Sequence, residues 1–482
     1  MAAARPVLPK INEVIHKPIP APVTVLQYGE GNFLRAFADY MIDAAVEQGV
    51  FNGGVFIVKP IEAGGLEDFR AQDCLYTVVL RGVQNGEPRR IQRAVTCIAG
   101  AADPYTEYET YAALAKSPDL RFIISNTTEA GIVYREEDRF TDTPPGSYPG
   151  KLTKFLYERY GAFGGAADKG LIVLPAELIE KNGTVLLDCC RRHAARWGLP
   201  PGFTDWLGRC NIFCNTLVDR IVTGYPRDEA DALERELGYT DRYLTAGEPF
   251  ALWVIESAEP ETVARAFPLD KAGMPVLFTR DCAPYRERKV RLLNGAHTAS
   301  ALAAHGCGLE TVGEMTRDPA VRPFLTRALY GELAPLTPLP EDEVKDFADA
   351  VLERFANPFI RHALLSIALN SVSKFKARIL PTILETWAVK RTLPPELCFS
   401  LSALAAFYTG TGYPLRDDAF VLDFFRENRG LPARELMEVL LKRADFWGED
   451  LSRIPGLCAL TGDYLGSIRE KGMRSALEGF LA

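Results

Sequence analysis

The stretch Val23-Thr24-Val25-Leu26-Gln27-Tyr28-Gly29-Glu30-Gly31-Asn32-Phe33-Leu34-Arg35-Ala36-Phe37 decides the fold. Its first six residues are β-branched or apolar at nearly every position, as in a strand buried on both faces. Two glycines follow at once, and the chain after them reads as helix. Strand, glycine turn and helix in that order form the start of a dinucleotide-binding unit. Gly29 and Gly31 let backbone N–H groups approach a pyrophosphate where the helix N-terminus favours negative charge. Arg35 adds a candidate phosphate partner. Leu34 stands where the third glycine of GxGxxG belongs, so the turn alone is a weak signal.

Outward from this turn the pattern repeats. Gly54–Val58 reads as a second strand, followed by Lys59, Pro60 and Glu62 rather than by an acid at its end, which leaves NAD or NADP open. Arg121–Ile124 runs into Ser125-Asn126-Thr127-Thr128-Glu129-Ala130-Gly131, a polar loop at a strand's carboxyl end, where an open parallel sheet holds ligands. Gly170–Pro175 leads into Ala176-Glu177-Leu178 and an expected turn at Asn182-Gly183. From about residue 285 the texture changes to long amphipathic stretches at 289–305, 341–356, 359–376 and 396–408. The expectation is an α/β protein, with a Rossmann-like doubly wound domain over 1–275 followed by a mainly helical domain over 276–482.

A chain of 482 residues exceeds one ordinary core, in keeping with two domains. A net charge of −8 argues against nucleic acid or an anionic membrane as partner, so an anionic small molecule needs a local basic pocket. No apolar run approaches the roughly 18 residues of a membrane span, and the proline-rich N-terminus shows no secretory pattern, which makes the cytoplasm the expected location. The ten cysteines form no CxxC units. Cys210 and Cys214, four apart, would share a face only on a helix. With five histidines in the chain, chemistry without a metal is expected.

The chemistry concentrates in Lys289-Val290-Arg291-Leu292-Leu293-Asn294-Gly295-Ala296-His297. Read as α-helix, Asn294 and His297 share a face and Lys289 lies within about 140° of both. An amine, an amide and an imidazole so grouped are candidates for proton transfer, oxyanion stabilisation and substrate orientation. Gly295 inside this pattern implies close approach by a ligand or by another helix.

Lys289, Asn294 and His297 match the K-x5-N-x2-H pattern of the mannitol dehydrogenase family of polyol-specific long-chain dehydrogenases. Gly29–Ala36 resembles that family's cofactor turn, and Val218-Asp219-Arg220-Ile221 its VDR segment. Further similar segments, SNTTEAGI at 125–132 and SKFKARILP at 373–381, carry the resemblance across nearly the whole chain. It implies reversible hydride transfer between NAD and a sugar derivative, with Lys289 as general acid and base and Asn294 and His297 as hydrogen-bond partners of the reacting oxygen. It further implies that Gly29, Gly31, Asn32, Phe33, Arg35, Ser125, Asn126 and Thr127 bind cofactor, and that Asp219 and Lys374 bind substrate. Two departures stand out: Ala176-Glu177-Leu178 lacks the family's oxyanion-hole Asn, and Ser366 replaces a substrate-binding Arg. Arg361 and His362 are then candidates to bind a carboxylate, making a sugar acid the expected substrate. Asp219 and Arg220 have an alternative reading as an interdomain ion pair.

Overall fold

Val23–Tyr28 forms strand β1, five of its six residues buried, because its side chains enter two different cores. Val25 packs on one face of the sheet and Leu26 and Tyr28 on the other. Ile57 and Val58, Phe122 and Ile123, and Leu174 and Val173 divide in the same way. Alternate residues facing separate apolar layers is the condition for a parallel sheet covered on both sides. The computed structural model describes residues 8–18, 21–128, 130–410 and 412–482. Glu129 of the polar loop and the first seven residues of the N-terminal stretch lie outside them.

The sheet contains β1, β2 (Gly54–Val58), β3 (Ile98–Ala102), β4 (Phe122–Ser125), β5 (Ile172–Pro175) and β6 (Ile212–Phe213), all parallel, in the order β3-β2-β1-β4-β5-β6. This is the doubly wound Rossmann arrangement, and strand order reverses between β1 and β4. Tyr28 pairs with Ser125 there, so the glycine turn after β1 and the polar loop after β4 leave the sheet side by side. Asn126 N–H donates to the Tyr28 carbonyl at 3.2 Å. Helix α1 follows the glycine turn as Asn32–Leu34, a π-helical stretch Arg35–Asp39, and Tyr40–Glu47.

The chain divides into two compact units: residues up to Arg81 with Arg89–Cys282, and Gly82–Pro88 with Ala283–Ala482. Among the described residues no strand follows Thr279, and the second unit is built mainly of helices. Pro395–Thr409, buried along almost its whole length, packs against Gly295–Gly306 and Leu457–Lys471. No described helix is long and apolar enough to cross a membrane.

Several local expectations are corrected. Asn182-Gly183 is no turn but the first residues of helix α2, Asn182–Arg196. Asn182 is buried and donates to the carbonyls of Pro175 and Glu177, both at 3.0 Å. A Cβ on Gly183 would stand 2.0 Å from the Cys214 carbonyl oxygen, so the glycine admits a strand's backbone. The helix expected over 359–376 breaks into Leu364–Ile367 and Ser371–Arg378, separated at Asn370 with φ 52°. Its first residues are drawn into a bridge between Ala363 and Thr311. Cys210 and Cys214 flank strand Ile212–Phe213, so they share no helix face.

Gly183→Ala should therefore destabilise the protein by about 1–3 kcal/mol through overpacking. Gly161→Ala, in helix Tyr148–Ala162 where a Cβ meets nothing within 4 Å, should be neutral or stabilising by up to ~1 kcal/mol. Thermal unfolding of the two variants beside the parent checks the contrast.

Candidate active site

The turn after β1 needs its first glycine twice over. Gly29 has φ 121°, and a Cβ there would lie 3.3 Å from the Asn126 carbonyl oxygen. Gly31 precedes α1 with ordinary dihedrals, and a Cβ on it meets no atom within 4 Å, so the turn is open on that side. Phe33 is half-buried and stacks on Phe37 at 4.9 Å between centroids. Arg35 is buried, donates to Asn32 Oδ1 and lies over the ring of Tyr243 at 4.9 Å. It therefore supports the turn through Asn32, and its Nε and Nη1 have no partner in the described protein.

The loop after β4 is held from β5 by Glu177, a residue that the sequence reading noted only as a lost match. Its carboxylate accepts from Ser125 Oγ at 3.1 Å and from Thr127 N and Oγ1, both at 2.9 Å. Asn126 Nδ2 donates to the Ala176 carbonyl at 2.8 Å. Burial raises the Glu177 carboxyl, opposed by the Thr127 and Ser125 hydrogen bonds. Lys59, after β2, is buried, and its Nζ donates to Asp103 Oδ2 at 2.7 Å and to the carbonyls of Glu62 at 3.1 Å and Gly64 at 2.5 Å. Three acceptors saturate an ammonium.

Asp219, buried, ends strand Asn215–Asp219 of the same unit. An ion pair is not what holds Arg220. Its guanidinium donates to the carbonyls of Ala36 at 2.5 Å, Phe250 at 3.0 Å and Pro249 at 3.1 Å.

In the second unit, helix α3 runs as Ala283–Arg288, a π-helical stretch Lys289–Asn294, and Gly295–Gly306. The α-helical angles assumed for Lys289 and Asn294 are thus replaced by a wider turn, an arrangement frequent at functional sites. Lys289 and Asn294 are half-buried and His297 is 9% exposed. The close approach expected at Gly295 is not required by the protein's own packing: a Cβ there would make ordinary van der Waals contact, 3.4 Å from Leu333 and 3.6 Å from the Arg378 carbonyl oxygen.

His297 stacks on Phe355 at 3.9 Å and meets His362 edge-on at 5.2 Å between centroids. Burial pushes its imidazole well below the ordinary 6.5, and repulsion from neighbouring His362 and from the charges of Arg354, Arg378 and Lys374 pushes it further, while burial and Lys374 lower His362 itself. Its Nε2 is buried without a protein partner. Lys374 Nζ donates to the Ile367 carbonyl at 2.9 Å, and Arg378 Nη1 to Thr298 Oγ1 at 3.3 Å.

His362 and Lys374 are thus gathered around His297, but Arg361 is not among the charges acting on it. The Arg361 side chain is 84% exposed and lies 3.6 Å from Glu310. Arg354 and Arg378 were missed by the sequence reading. Arg378 lies in the segment 373–381, four residues after Lys374, and that helical spacing was the available signal. Among the described residues no three His, Cys, Asp or Glu side chains gather as metal ligands.

The chain matches two family models, the mannitol dehydrogenase Rossmann domain over residues 23–267 and the mannitol dehydrogenase C-terminal domain over 281–464. The chain belongs to the mannitol dehydrogenase family. Membership makes it an oxidoreductase working with a nicotinamide cofactor. Altronate oxidoreductases of Escherichia coli O139:H28 (strain E24377A / ETEC) and O9:H4 (strain HS) are each 46% identical to it over 467 residues, 95% of this chain and 96% of the relative. The fold is shared with D-sorbitol dehydrogenase in substrate-free form (TM-score 0.78, 20% identity, 98% of this chain and 97% of that one). It is also shared with Pseudomonas fluorescens mannitol 2-dehydrogenase in a ternary complex with NAD and D-mannitol (TM-score 0.66, 22% identity, 96% and 94%).

A neutral, buried His297 gives a signed pH dependence. Below about pH 6.5 the unfolded chain protonates this imidazole while the folded protein resists, so its contribution is complete above that pH and is lost as pH falls. His297→Asn should shrink the drop in Tm between about pH 7.5 and 5.5. An equal drop in variant and parent would show that the folded imidazole takes up its proton normally.

Proposed function

We propose that this chain interconverts D-tagaturonate and D-altronate by hydride exchange with NAD. The positive charge around His297 carries this reading: Lys374 and Arg378, neither in an ion pair among the described residues, bear together with Arg354 on one buried imidazole, a setting that favours an anionic substrate over a neutral polyol. The curated relatives, named altronate oxidoreductases, agree with a sugar acid.

Cofactor binding falls to the turn of Gly29, Gly31, Asn32 and Phe33, backed by Arg35, and to Ser125, Asn126 and Thr127. The positive φ of Gly29 and the open side of Gly31 suit a pyrophosphate at the N-terminus of α1. When bound, the nicotinamide supplies or accepts the hydride. NAD is preferred to NADP because the ammonium of Lys59 already has three acceptors and none of its N–H groups is left for a 2′-phosphate.

In reduction, Lys289 gives its proton to the ketone oxygen as negative charge grows there, and it takes the proton back in oxidation. Asn294 donates a hydrogen bond to that oxygen. A neutral His297 orients a neighbouring hydroxyl, which an imidazolium among cations would do at greater cost. Asp219 accepts from a substrate hydroxyl, and His362 and Lys374 face the acid end. Ten free cysteines suit a reducing, cytoplasmic setting.

NADH oxidation with tagaturonate, fructuronate and fructose tests the assignment, with tagaturonate expected to give the highest kcat/KM. A preference for fructuronate would move the reading to its isomer's reductase, and a preference for fructose would end it. Lys289→Met should lower kcat by about 100- to 10,000-fold. If it is as active as the parent, another group carries the proton.

A further inference from the structure

Lys374 and Arg378 are four residues apart on helix Ser371–Arg378, so they point to the same side. Both are half-buried, and neither forms an ion pair among the described residues. Burial weakens the charged form of each, and the Arg378 charge opposes that of Lys374. Asp417 is the acid acting on Lys374, and its carboxylate is already engaged by the Tyr408 hydroxyl and, at 3.4 Å, by the Val372 amide. Among the described residues Arg378 has one side-chain hydrogen bond, to the Thr298 hydroxyl, which leaves most of its guanidinium donors without a partner there. Thr298 adjoins His297, which is nine-tenths buried and whose Nε2 has no partner among the described residues.

Two like charges in partly dry surroundings repel each other and lose hydration. An anion lying across them relieves both costs. A guanidinium offers paired N–H groups matched to a carboxylate, and an ammonium one turn away supplies a point charge. The exposed Arg361, paired with Glu310, lacks this setting.

We propose that Arg378, with Lys374 one turn before it, grips the carboxylate of the sugar acid and is the residue that separates acids from neutral sugars. This rests on reading the chain as a sugar-acid oxidoreductase.

Arg378→Gln should raise KM for tagaturonate by about 10- to 100-fold with a smaller change in kcat, and Arg378→Lys should recover part of the loss. Lys376→Gln, which removes an exposed charge from the same helix, should match the parent. Ligand protection gives a readout independent of turnover. Gluconate should raise the Tm of the parent and of Lys376→Gln more than mannitol does, and Arg378→Gln should lose that difference while keeping the parent's unliganded Tm. If the parent reduces no hexuronate yet shows this pattern, the carboxylate grip stands and the reaction assignment falls. A parental KM and a parental gluconate shift in Arg378→Gln would overturn the grip. If Arg378→Gln alone fails to fold, Arg378→Lys decides: an intermediate KM supports the proposal and an unchanged one refutes it.

Discussion

An imidazole buried beside cations remains neutral, because protonating it adds charge where hydration is poor and like charges are already present. His297 is in that position, with Phe355 across one face, His362 at its edge, and Arg354, Arg378 and Lys374 contributing positive potential. Much of the second unit serves this arrangement. Helix α3 carries His297 just past its π-helical stretch, and helix Ser371–Arg378 brings two cations to it. Leu333 and the Arg378 backbone pack against α3 at Gly295. The same potential that suppresses the imidazolium is what the proposed function uses, to favour an anionic substrate and the negative charge on its reacting oxygen.

The first unit solves a different problem, that of holding two loops side by side at the carboxyl ends of its strands. Reversal of strand order between β1 and β4 opens two loops beside each other, and each is fixed by a residue that does no chemistry. Gly29 adopts a conformation that side chains avoid and lets the Asn126 carbonyl approach. Glu177 ties Ser125 and Thr127 to the end of β5. A buried carboxylate is expensive to maintain unless it accepts several hydrogen bonds, and here the loop supplies them.

Strands β1 and β2 were legible residue by residue, since continuous apolar character bounded by glycine leaves little choice of register. Lys289, Asn294 and His297 were legible as neighbours along one helix. Their angular relation was not, since a π-helical stretch leaves no mark in the apolar pattern. The start and the break of the helix expected over 359–376 depended on contacts far off in sequence, the bridge of Ala363 to Thr311 and the Asn370 amide reaching the Arg416 carbonyl at 3.0 Å. Glu177 showed only as a mismatch because its partners lie on another strand. Arg378 stood in view beside Lys374, but a basic residue on a helix is usually solvated, and its half-buried position and hydrogen bond to Thr298 distinguish it from the exposed Lys376.

The most direct test of the account compares, for the unmodified enzyme with NADH, kcat/KM for tagaturonate and for the neutral hexulose in which a hydroxymethyl group replaces the carboxylate. Cations placed to hold an acid predict a preference for tagaturonate of about 100-fold or more, since the neutral sugar leaves buried donors unpaired. Equal efficiency on the two would contradict it, because the positive charge around His297 would then have no part in choosing the substrate.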